Sequence, residues 1–143
     1  MARKFEMDFC SVSAIGSNDL DILEKVLQLE NDADAFGFRW ENTGQIMQQI
    51  HSECMEIQEH LDQPSYSHQA LQDEIGDLLH AVFSLTVFCK FEPRDTLQKT
   101  LSKFERRLNA VKELAHADGL SDLNGHSFDA LMCYWNKAKS KIG

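Results

Sequence analysis

The 143-residue chain is short of chain breakers, with two prolines and seven glycines, and this leaves long stretches free to run as uninterrupted helix. Its four cysteines, Cys10, Cys54, Cys89 and Cys133, lie far apart with no C-x-x-C pair. That spacing indicates neither a zinc site nor a disulfide framework, and buried free thiols are the expectation. Basic residues are also scarce. Fourteen Lys and Arg face 23 Asp and Glu, a net charge of −9, which argues against a nucleic-acid polymer as ligand, because such proteins gain most of their affinity by neutralising phosphates. Long apolar runs are missing too. The longest uncharged one, Leu78 to Cys89, has 12 residues, against about 20 needed to cross a bilayer. After Arg3 and Lys4, Glu6 and Asp8 interrupt the apolar stretch that a signal peptide requires. A cytoplasmic protein with no membrane partner is expected.

What is present is periodicity. Hydrophobic residues make up 43% of the chain and recur at helical spacing, so the fold class expected is all-α, a bundle of four to five helices. Residues 1–17 read as an N-terminal extension and residues 18–143 as a single domain. Asn18 is placed to cap a first helix over Asp19 to Asp32 with Leu20, Leu23, Val26 and Leu27 inward. Ala33 to Asn42 reads as an aromatic-rich loop. Thr43 is placed to cap a second helix whose stripe is Ile46, Ile50, Cys54, Ile57 and Leu61. A third helix, Ser67 to Lys90, turns apolar nearly all round from Leu78, the pattern of a central helix surrounded by partners. Pro93 suits the first turn of a fourth helix, striped by Leu97, Leu101, Phe104, Leu108, Val111 and Ala115 and ended near Gly119. Ser127 caps a fifth with Leu131, Met132, Trp135 and Ala138 on one side. The wide apolar faces predict self-association. Charge is uneven as well: residues 1–89 hold 4 basic and 16 acidic residues, residues 90–143 hold 10 and 7.

Acidic pairs at i, i+3 share a helix face and can hold a divalent cation together. Six occur: 21/24, 53/56, 56/59, 59/62, 74/77 and 92/95. Spacing alone equally allows solvated positions, so context must separate them. Glu53 and Glu56 flank Cys54 and Ile57 of the second helix's stripe, and Glu74 and Asp77 immediately precede the apolar part of the third. At the edge of a core a carboxylate needs a cation or a basic partner, and two pairs on adjacent antiparallel helices make an oxygen cage suited to Mg²⁺ or Mn²⁺.

These residues resemble a known family. Glu53-Cys-Met-Glu56, followed after 17 residues by Glu74-Ile-Gly-Asp77-Leu-Leu, is similar to the E-x-x-E…E-x-x-D signature of MazG-type nucleoside triphosphate pyrophosphohydrolases. Asp73-Glu-Ile-Gly-Asp-Leu-Leu-His-Ala-Val-Phe83 resembles their "GELGDLLLQVVF" helix. Lys103-Phe-Glu-Arg-Arg107 resembles the "KFERRF" of the C-terminal half of two-domain members, and Trp135-Asn-Lys-Ala-Lys139 a closing "W-x-x-A/V-K". Phe38-Arg-Trp-Glu41 is faintly similar to "C-P-W-D". The resemblance spans about residues 36–139. It implies an all-α enzyme, a homodimer or homotetramer, that hydrolyses a nucleoside triphosphate to monophosphate and pyrophosphate with Mg²⁺ (or Mn²⁺) and keeps the nucleotide pool clean. Carried over by residue, Glu53, Glu56, Glu74 and Asp77 are the catalytic metal ligands. Arg106, Arg107 and Lys139 contact phosphates, with Lys103 a further candidate. Read from the residues themselves, Trp40 and Phe38 suit either stacking on the base or, as loop aromatics more often do, covering a core.

The chain departs from the pattern at Ser52, where many members carry a first glutamate, and it lacks the upstream Cys-Pro. A helical interaction or regulatory module that keeps the bundle without catalysis is therefore the alternative. A di-iron carboxylate protein ranks third, because His80 follows Asp77 at i+3 but the second helix offers only Glu56 with His60 at i+4.

Overall fold

The computed structural model describes residues 21–143, and among these it has five α-helices and no strand: α1 (Ile22–Phe36), α2 (Thr43–Leu61), α3 (His68–Phe88), α4 (Pro93–Ala117) and α5 (Phe128–Ile142). The expected all-α class is what is found. Asn18, Leu20, Cys10 and the proposed extension over residues 1–17 lie outside the described residues. The chain divides into two compact units, one ending at Arg94 and the other running from Asp95 to Gly143.

In the first unit, Asp21 caps α1, its Oδ1 accepting from the amides of Leu23 at 2.9 Å and Glu24 at 3.1 Å. The helix runs past the expected end at Asp32 because Ala33 to Phe36 are compatible with it; the stop comes at Gly37, whose φ of 96° is left-handed. There Phe38 N donates to Ala33 O and Gly37 N to Asp34 O, both at 2.9 Å. Asn42, not Thr43, caps α2. Its Oδ1 accepts from Gln45 N at 2.9 Å while Gln45 Oε1 accepts from Glu41 N at 2.8 Å, a reciprocal arrangement close to a capping box. Ser67, expected as the first residue of the third helix, is instead the cap of α3, its Oγ accepting from Ala70 N at 3.2 Å.

α3 packs extensively along α2 and also touches α1, so it is central to its unit. His80 Nε2 meets Glu30 Oε2 across the α1–α3 contact at 3.1 Å, and Arg94 pairs with Asp21. The expectation that α3 is enclosed on all sides is corrected: Ala81 and Ser84 are buried, but Leu79 is 57% exposed, and Ile75 and Val82 are open as well. Among the described residues only α1 and α2 pack against α3, which leaves part of its surface open. The thiols are corrected likewise, for Cys54, Cys89 and Cys133 are free but exposed.

In the second unit, Gly119, with φ 82°, terminates α4 through Leu120 N to Ala115 O at 2.9 Å, and Ser127 caps α5. Phe104 and Trp135 lie 5.9 Å apart, Tyr134 Oη donates to Asp118 Oδ2 at 2.6 Å, and Lys141 pairs with Glu113 at 3.8 Å. Ala110, Ala115 and Ala138 are buried, whereas Leu97, Leu101, Phe104 and Leu108 of the expected stripe remain substantially open.

Candidate metal site

Glu56 lies five residues before the end of α2 and Glu74 six residues after the start of α3. The short connection between these packed helices thus brings the two side chains to one level. Glu53, one turn before Glu56 on the same face, joins them. One carboxylate oxygen from each of Glu53, Glu56 and Glu74 lies within 4.8 Å of the others. Asp77 stands a turn further along α3, exposed, and is not one of the three.

The three carboxylates differ in environment. Glu53 is 7% exposed; its Oε1 accepts from Gln49 Nε2 at 2.6 Å, while Oε2 is buried with no hydrogen-bond partner. Glu74 is partly covered and has His60 Nε2 at 3.9 Å. Glu56 is exposed, yet its carboxyl is held above the ordinary value, chiefly because it shares a hydrogen bond with Glu74. Charge repulsion from Glu74, some desolvation and the charge of Glu59 add to this, and the neighbouring Glu53 opposes it. Three acids so close are mutually repulsive unless a proton or a cation lies among them. A hard divalent ion suits an all-oxygen donor set, and the unpartnered Oε2 of Glu53 is the kind of group such an ion satisfies.

The other residues singled out in the sequence are distributed as follows. Trp40 is half-buried and Phe38 exposed, just after α1. In the second unit, Lys103 and Arg106 line one open hollow along α4 together with Lys99, and Lys139 is exposed on α5. The Arg107 guanidinium lies 5.8 Å over the Trp135 ring and donates to Gly143 O at 2.8 Å, with Nε buried and unpartnered. Ser52 is exposed beside Glu53. Two neighbours of the cluster were missed. Gln49 was signalled by its i, i+4 relation to Glu53. His60 pairs by spacing with Glu56, whereas its contact is Glu74, which sequence spacing does not reveal.

Fold and site together define an all-helical protein with a carboxylate cluster set between two packed helices. The chain belongs to the MazG family: residues 41–112 match the MazG nucleotide pyrophosphohydrolase domain, a stretch that contains the whole cluster and both Arg106 and Arg107. It is 31% identical over 117 residues to the nucleoside triphosphate pyrophosphohydrolase/pyrophosphatase MazG of Thermotoga maritima, covering 82% of this chain and 44% of that protein. Identity to the nucleoside triphosphate pyrophosphohydrolase of Escherichia coli K12 is 27% over 120 residues, covering 84% and 45%. The chain thus spans about half the length of these curated relatives. It is also 38% identical over 71 residues to the uncharacterized protein YabN of Bacillus subtilis, covering 48% of this chain and 14% of that one.

Proposed function

We propose that the chain hydrolyses a nucleoside triphosphate, whether standard, deoxy or modified, to the monophosphate and pyrophosphate in a Mg²⁺-dependent reaction that Mn²⁺ also supports. The observation that carries this is the buried, unpartnered Glu53 Oε2 within a three-carboxylate cluster, in a chain of the MazG family. In the reaction, water attacks the α-phosphorus, the bond to the β-phosphate oxygen breaks, and pyrophosphate leaves. Glu53, Glu56 and Glu74 hold the cation, with Asp77 as a fourth ligand by resemblance. A divalent ion there supplies Lewis acidity toward phosphoryl oxygens. A carboxylate not fully engaged with it takes the proton of the attacking water. Arg106, Arg107, Lys139 and Lys103 take up phosphate charge, and Trp40 stacks on the base. The enzyme works in the cytoplasm, and the open apolar residues of α3 and α4 support its acting as a homodimer or homotetramer.

Purified protein with Mg²⁺ is expected to release pyrophosphate and not orthophosphate from at least one nucleotide in a panel of standard and damaged triphosphates. Release of orthophosphate alone, or of nothing, removes the reading. The position of Asp77 outside the cluster and the serine at position 52 favour a second reading, a catalytically silent helical module. Such a module shows no Mg²⁺-dependent nucleotide heat in calorimetry.

A further inference from the structure

We propose that Gln49 is a positioning residue of the carboxylate cluster, holding Glu53 in one orientation so that Oε2 is the oxygen available to a cation. This rests on the reading that Glu53, Glu56 and Glu74 bind a divalent ion, and extends it to a neutral side chain outside the acidic motif.

Gln49 and Glu53 lie one turn apart on α2, where i and i+4 side chains meet. Against a carboxylate only the NH₂ end of the carboxamide can serve, since it donates and the carboxylate accepts, and the contact is short at 2.6 Å. Its acceptor is no ordinary surface glutamate. Glu53 is more than nine-tenths buried, and its second oxygen has no partner. A free glutamate samples several rotamers and either oxygen can turn toward a ligand. With Oε1 tied down, the two oxygens become unequal, and rotamer freedom that cation binding would otherwise remove is already lost. Gln49 thus preorganises the most enclosed member of the cluster without adding charge to it.

The test titrates Mn²⁺ alone into the full chain by calorimetry, without nucleotide, and compares wild type, Glu53→Gln, Gln49→Met and Gln49→Leu. Met and Leu keep roughly the bulk of the side chain and are good helix formers but donate nothing, so the Leu variant carries the test if the Met variant fails to fold. The Mn²⁺ dissociation constant is expected to rise about tenfold or more in the Gln49 variants, the usual cost of removing a ligand's hydrogen-bond partner. A role in helix stability alone would lower the melting temperature and leave that constant unchanged, and this result overturns the proposal. If wild type binds Mn²⁺ and Glu53→Gln does not, a wild-type constant in Gln49→Met sinks the positioning role while the cation reading stands. If wild type itself binds no Mn²⁺, both fall.

Discussion

At the scale of single residues, Glu53 and Glu56 set opposite problems for the protein without metal. Glu53 keeps an oxygen buried without a partner, a cost of about 1–3 kcal/mol or more for a group of this kind. Replacing it by the uncharged Gln should raise the melting temperature in EDTA and abolish the further rise expected of wild type in Mn²⁺, which thermal denaturation with and without the ion will show. Glu56 holds its proton more tightly in the folded than in the unfolded chain, chiefly through its hydrogen bond with Glu74. A carboxyl raised on folding favours the folded state at low pH. In EDTA, stability should therefore fall as pH rises from the ordinary carboxylate value through the raised one, and level off above it. Glu56→Gln should flatten that slope in melting curves taken across the acid range. Glu53, Glu56 and Glu74 were legible from their spacing and from the resemblance. The inequality among them was not, since which oxygen is buried, and which acid Glu56 faces, depend on how α2 and α3 meet.

At the scale of elements, ends proved harder to read than existence. All five helices follow from the apolar periodicity, and Ser67, Pro93 and Ser127 start theirs as their chemistry suggests. The miss at Thr43 arose because two adjacent residues, Asn42 and Thr43, both suit a cap; the choice went to Asn42, whose reach to Gln45 N is completed by Gln45 returning to Glu41. Asn42→Ala should cost about 1 kcal/mol in denaturant unfolding, more than Thr43→Ala. Gly37 was passed over because a loop was expected to begin earlier. A Cβ built there meets nothing within 4 Å, so only the left-handed φ of 96° resists substitution. Gly37→Ala should destabilise by about 1–2 kcal/mol through backbone conformation alone, again measurable by denaturant unfolding.

At the scale of the whole molecule, the division at Arg94 nearly coincides with the change in charge. The sequence up to Arg94 carries 6 basic and 17 acidic residues, a net of −11, and that from Asp95 on 8 and 6, a net of +2. The sequence showed this asymmetry but not that it follows a structural boundary. It also misjudged enclosure, because periodicity marks which residues seek cover without saying whether the same chain supplies it. Ile75, Leu79 and Val82 on α3 and Leu101 and Phe104 on α4 stay open, and sedimentation velocity should find the chain larger than its 16.3 kDa monomer.

The −11 of the sequence up to Arg94 gives ionic strength two opposing tasks. If copies meet through the apolar residues of α3 they bring like charge together, so added salt should screen the repulsion and tighten the assembly. A nucleotide bound as proposed, through a cation and basic side chains, would lose attraction under the same screening. Raising sodium chloride should therefore strengthen self-association while weakening nucleotide binding, and one salt series can separate the two processes.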